Sequence, residues 1–151
     1  QIESVFLNQP LVAAVEKSGG GNVLLWVGDY LPYQIAGIFY GEKLMKNRFA
    51  AISFMKGYIR SCRYYYDHAL TKKEGPAYQE MLDLIAKYTE EKNDAIALAL
   101  PYNDRNGELL SEDIQKQLDW YFKNGMVSKK MSSTEMVDLS FWKEALQQLG
   151  K

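Results

Sequence analysis

The chain has 151 residues, of which 47% are hydrophobic and 25% charged, with a formal net charge of −1. That is the composition of one globular domain with a real core, and it excludes disorder. Acidic and basic residues are interspersed, so no basic stripe points to nucleic acid and no acidic arm points to a solvating tail. The single cysteine, Cys62, cannot form an internal disulfide and lacks the spacing of a thiolate metal site. No run of about eighteen apolar residues is present to span a bilayer, and the amino terminus lacks the basic-then-apolar pattern of a signal peptide.

Ile2 to Leu7 is apolar and β-compatible without a preceding turn, so Gln1 falls at the lip of an expected strand. Pro10 suits a first helical turn, Leu11, Val12 and Val15 give that helix an apolar face, and Ser18-Gly19-Gly20-Gly21 stops it. Asn22 to Val27 is a nearly unbroken apolar run that predicts a buried strand, with Trp26 as a packing residue. Strand, helix and strand within about thirty residues have the length of a βαβ unit, which implies parallel pairing. "DYLPYQIAGIFY", Asp29 to Tyr40, follows: a tyrosine-rich loop with hydroxyl and amide handles that leads into a third expected strand, Ile35 to Tyr40.

After Gly41 the pattern becomes helical. A short amphipathic turn covers Glu42 to Lys46, and Arg48 to Leu70 is the clearest helix, with Phe49, Ile52, Met55, Ile59, Cys62 and Tyr66 recurring every three or four residues. Gly75-Pro76 starts another helix with Met81, Leu82, Ile85 and Tyr88 on one stripe. A short third segment, Asp94 to Leu100, stops at Pro101. Asn103 to Gly107 is a turn cluster. Ser111, with Glu112 and Asp113, then caps a helix with Ile114, Leu118, Trp120 and Phe122 facing inward, which Asn124-Gly125 ends. Ser132 to Val137 reads as irregular, and Asp138 caps a last helix carrying Phe141, Trp142, Ala145 and Leu149.

The chemistry-bearing residues form no catalytic set. Cys62 and His68 lie six residues apart on one helix, roughly 9 Å along its axis, too far apart for a nucleophile and its base. Ser18 to Gly21 follows a helix, whereas a phosphate-cradling loop follows a strand and opens a helix. Asp104, Asn106 and Glu108 lack the twelve-residue calcium loop pattern. No metal site and no cofactor site emerges.

Three stretches carry a resemblance: Phe6 to Pro10, a strand leading into a proline-started helix; Phe54 to Arg60, of Phe-Met-x-x-Tyr-x-Arg type; and Val137 to Leu146, of Val-Asp-x-Ser-Phe-x-x-x-Ala-Leu type. On these the chain resembles the carboxyl-terminal half of the nitrate/sulfonate/taurine-type solute-binding proteins of ABC importers, over nearly its whole length. The resemblance implies an α/β fold of the type II periplasmic-binding kind, with a short parallel-strand unit followed by a mostly helical part. Residues 1–33 would end the second lobe and residues 34–151 would return to the first. It further implies a small organic solute or anion as ligand, with Asn8, Gln9, Tyr33 and Gln34 as the ligand-binding residues, and no cofactor. The partners it implies are a membrane permease and a preceding amino-terminal half of the same protein, with no nucleic acid. The location would be periplasmic or otherwise extracytoplasmic, a lipid anchor upstream being one route. An enzyme related to pyrimidine-precursor synthases and the effector-binding domain of a regulator are the rival readings.

Overall fold

The computed structural model describes residues 3–9 and 11–150. The α-helices are α1 (Leu11–Lys17), α2 (Glu42–Lys46), α3 (Arg48–Tyr65), α4 (Pro76–Thr89), α5 (Asn93–Leu98), α6 (Ser111–Lys123), α7 (Ser133–Met136) and α8 (Ser140–Leu149). A 3₁₀ turn covers Val27–Asp29 and a π-turn, Tyr66–Leu70, extends α3. Helix makes up 58% of the described residues, and no strand occurs among them.

The α/β architecture and its parallel-strand unit are therefore corrected to an all-helical one. The expected strands at Ile2 to Leu7, Asn22 to Val27 and Ile35 to Tyr40 do not form where they are described; Ile2 itself lies outside the described residues, as does Pro10. A strand exists only when a neighbour accepts its peptide hydrogen bonds, and β-propensity measures fit to such a neighbour rather than a backbone preference. Without one, the side chains stay in water: Leu24 is 83% exposed and Phe39 90%, and Trp26 is exposed rather than packed.

The described residues divide into two compact units. One comprises the chain through Trp26 together with Cys62–Arg105, and the other Val27–Ser61 together with the chain from Asn106 onward.

In the second unit the core is Ala51, Ile52 and Ile59 of α3 against Phe141 and Ala145 of α8, with Met55, Tyr58, Leu146 and Trp142 packed around it. Ala51, Ile52, Met55 and Ile59 share one face of α3 because they recur at three- and four-residue intervals. Phe49, expected on that stripe, lies outside it and is exposed. Tyr40 sets its ring edge-on to Phe54 and Phe141, at 5.8 and 5.3 Å between centroids, and its hydroxyl donates to the Ala51 carbonyl at 2.9 Å. Arg48 forks onto Glu144 at 2.9 and 2.6 Å, tying α3 to α8. The Trp142 indole donates to the Asn106 carbonyl at 2.8 Å, closing the turn before Gly107 over α8. Gly107 has φ +65°, and a Cβ there would collide with the Tyr58 ring. Both backbone and space therefore demand glycine.

Two helix starts follow local side-chain signals, whereas Ser111, expected to cap α6, is its first residue: Leu110 is the N-cap, and Ser111 Oγ is buried with no hydrogen-bond partner among the described residues. Asp138 accepts the Ser140 amide at 2.8 Å, as its place before α8 predicts, and this bond holds its carboxyl below the usual range. The stretch read as irregular contains α7, opened by a capping box in which Ser132 Oγ accepts from the Thr134 amide and Glu135 accepts from the Ser132 amide at 2.9 Å. The Ser-x-x-Glu signature stands in the sequence.

In the first unit, α1 ends as its glycine run predicts, with Gly19 at φ +70°. Cys62, Ala69, Met81, Leu82 and Ile96 are its buried apolar side chains, so Cys62 serves as a small core residue. The tyrosine triplet points three ways. Tyr64 donates to Glu80 at 2.8 Å and meets the His68 ring at a tilt, Tyr65 donates to the Pro101 carbonyl at 2.6 Å, and Tyr66 meets the Tyr102 ring edge-on. Burial pushes the Tyr65 phenol up to about 12. Arg105 forks onto Asp67 at 2.9 and 2.8 Å and holds that carboxyl below the ordinary aspartate range.

Candidate functional site

α6 places Asp113, Lys116, Gln117, Trp120 and Tyr121 at intervals of three, four, seven and eight residues from the first, which is one face of a helix. With Tyr33 these side chains line a groove of about 320 Å³ within the second unit. That volume sits at the small end of the range for ligand pockets, roughly 300–1,000 Å³.

The Tyr33-Gln34 loop is fixed to α6 and the residue before it by three hydrogen bonds. The Gln34 amide donates to Asp113 Oδ2 at 2.7 Å, and its carbonyl accepts from Gln117 Nε2 at 2.9 Å. The same Gln117 Nε2 donates to Asp113 Oδ2 at 2.7 Å. Gln34 Oε1 accepts the Leu110 amide at 2.9 Å, at the residue that precedes α6, while its Nε2 donates to the Ala36 carbonyl. Asp113 is only 9% exposed, and burying a carboxylate is tolerable because it is paired in this way and sits in the first turn of a helix. Besides standing at a helix start, as expected, the Asp113 carboxylate reaches across to a backbone amide 79 residues away.

The geometry assigns different work to the four residues singled out from sequence. Tyr33, 53% exposed, presents its ring to the groove. Gln34 spends both ends of its side-chain amide holding the loop, so it positions Tyr33. Asn8 and Gln9 belong to the first unit at the start of α1, where the Asn8 carbonyl accepts the Leu11 amide at 3.0 Å and Gln9 Oε1 accepts the Ala13 amide at 3.3 Å. Both serve there as helix-start acceptors.

Lys116, Gln117, Trp120 and Tyr121 were not singled out. Trp120 and Phe122, expected to pack inward, are both exposed; Trp120 is 55% exposed, with its ring edge-on to Tyr121 at 5.5 Å. The signal was available, because an amphipathic helix whose apolar stripe is joined at i, i+3 and i+4 by Asp, Lys and Gln offers a mixed face suited to a ligand.

Chemically, the groove offers three aromatic side chains, one ammonium and one amide-bound carboxylate. Aromatic walls take a planar ring by offset or edge contacts, and the Lys116 ammonium takes a negative group. A second crevice of about 250 Å³, between α3 and α8, is lined by Arg48, Phe49, Ser53, Lys56, Glu144 and Gln148. Its guanidinium is already matched by Glu144, and Lys56 donates to Gln148 at 3.0 Å, so its polar groups serve helix pairing. Among the described residues no cluster of three or more His, Cys, Asp or Glu side chains could hold a metal ion, and no helix is long and apolar enough to cross a membrane. Comparison with protein-family models, with curated proteins and with solved structures finds no match for this chain.

Proposed function

We propose that this chain binds a small organic solute bearing a planar ring and an anionic group, and releases it unchanged. The observation that carries this reading is the groove itself: half-exposed Tyr33 and Trp120 beside Lys116, on a loop and helix locked together by the Gln34, Asp113 and Gln117 bonds. Large aromatic side chains standing in water cost solvation that a ring-shaped ligand recovers. The locked loop means little ordering cost is added when the ligand arrives.

Solute capture for an ABC importer, outside the cytoplasm and in concert with a permease, is the role we attach to that binding. Its support is the motif resemblance at Phe54 to Arg60 and Val137 to Leu146. The ligand class implied there, a small organic solute or anion, matches what Lys116 and the aromatic walls would hold.

Isothermal titration of the 151-residue chain with nitrate, alkyl sulfonates, aromatic sulfonates, aromatic carboxylates and pyrimidines tests the proposal, with the recovered ligand assayed for chemical change. Aromatic anions should bind and be recovered intact. Trp120→Ala and Lys116→Gln should each weaken binding about tenfold or more, the loss of one stacking wall or one charge-assisted bond. Absence of binding across the panel, binding that ignores both substitutions, or turnover of the ligand would each defeat it.

A further inference from the structure

Two charged side chains of the α6 groove keep bonding capacity that the described residues do not use. Both hydrogen bonds to the Asp113 carboxylate, from the Gln34 amide and from Gln117 Nε2, fall on Oδ2 at 2.7 Å. Oδ1 accepts from none of the described residues. Among those residues Ser111 Oγ is the one side-chain polar atom both sealed from solvent and unpartnered, so Oδ1 keeps an opening even though Asp113 is only 9% exposed. Asp113 lines the groove, which is where that oxygen is of use. Lys116, on the next turn of α6, is exposed, and its ammonium makes no ion pair or hydrogen bond with a described residue.

We propose, resting on the reading of this groove as a solute site, that its ligand is an aromatic α-amino acid. The ring lies against Tyr33, Trp120 and Tyr121, the ammonium donates to Asp113 Oδ1, and the carboxylate accepts from the Lys116 ammonium. A ligand that carried only the negative group would satisfy Lys116 but would bring a like charge up to Asp113 and leave Oδ1 without a donor. An ammonium on the same ligand removes both penalties. Gln117 takes no part, because its side-chain nitrogen already donates to the Gln34 carbonyl and to Asp113 Oδ2.

Spacing selects the α-amino acid among molecules with both charges. Asp113 and Lys116 stand three residues apart on α6, which is about 4.5 Å along the helix axis. Long helical side chains lean toward the amino terminus, so Lys116 leans back toward the turn that holds Asp113. The matching groups on the ligand must then be close neighbours, as an ammonium and a carboxylate on one carbon are. A groove of about 320 Å³ suits one ring system on a short arm.

Isothermal titration of the 151-residue chain with matched ligands is the test. Phenylalanine and tryptophan should bind about tenfold or more tightly than phenylpropanoate and indolepropanoate, which keep ring and carboxylate and lack the amine. Phenethylamine, which lacks the carboxylate, should bind at least about tenfold more weakly than phenylalanine. Asp113→Asn can keep its carbonyl oxygen on the Gln34 and Gln117 donors and turn its own amide N–H groups into the groove. The preference for phenylalanine over phenylpropanoate should then fall to about threefold or less. Circular dichroism checks that this variant folds; if it does not, the ranking of ligands by the native chain decides. Equal binding of phenylalanine and phenylpropanoate would overturn the proposal while leaving a site for ring and anion standing. Equal weakening of both ligands by Asp113→Asn would make Asp113 an anchor for the loop alone and would also overturn it. Amino acids that fail to bind overturn it whatever the des-amino acids do, and failure of every aromatic anion defeats the underlying solute site as well.

Discussion

Ile35 to Phe39 and Ala51 to Ile59 belong to the same unit and are similarly rich in large apolar side chains, yet they meet opposite fates. Ile59 is fully buried against α8 and Phe39 is 90% exposed. The difference lies in how each stretch satisfies its backbone. α3 closes its own hydrogen bonds and presents Ala51, Ile52, Met55 and Ile59 as one stripe to Phe141 and Ala145. Ile35 to Phe39 can satisfy its peptide groups only through a neighbouring strand or water, and no strand stands beside it among the described residues. Apolar content alone does not make a core; it must arrive on an element whose polar groups are already paired.

Truncation of the two stretches should break this comparison most directly. Ile59→Ala removes packed methyl groups from a site with no solvent access and should cost about 2–5 kcal/mol. Phe39→Ala deletes a larger side chain and should change stability by no more than about 0.5 kcal/mol. Urea unfolding followed by far-ultraviolet circular dichroism measures both, and equal losses would erase the distinction drawn here.

A smaller effect sharpens it from the side of α3. Gly107→Ala should cost roughly 1–3 kcal/mol, because alanine is strained at φ +65° and its methyl group would displace the Tyr58 ring from the core margin. Tyr58→Ala opens that space, so the double variant should lose less than the sum of the two single losses. Strict additivity would show that the close approach is not what holds glycine there.

The smallest effect is electrostatic and belongs to the other unit. Arg105 lowers the Asp67 pKa below its unfolded value, so the pair's contribution is present above the unfolded aspartate pKa. It is lost as pH falls through the lower folded value. Acid unfolding of the native chain should therefore include a step in that window that Asp67→Asn removes, the variant being the less stable near neutral pH and converging with the native chain in acid. Both side chains are well exposed, so the step should be modest and should shrink with added salt.

Helix boundaries were legible because their causes are local. Gly19 stopping α1, Pro76 opening α4, and Asp138 reaching the Ser140 amide depend on residues within one turn of each other. Ser132 and Glu135 carried the same kind of signal, and α7 was missed because a four-residue helix leaves no periodicity to notice. The candidate site was legible only in part. Tyr33 could be picked from its loop, but its neighbours on the α6 face could not, because the bonds that bring them together join residues 76 to 83 positions apart.

By itself the sequence determined where the longer helices lie and which side of α3 holds most of the buried residues, since a helix draws its hydrogen bonds from its own neighbours. Tertiary structure alone decided whether the β-prone runs around Leu24 and Ile38 would become strands, since a strand must borrow its partner from elsewhere. It also decided that Asp113 would leave solvent to hold the backbone of Gln34. A buried carboxylate is chosen by the distant donor that meets it, and no local pattern encodes that donor.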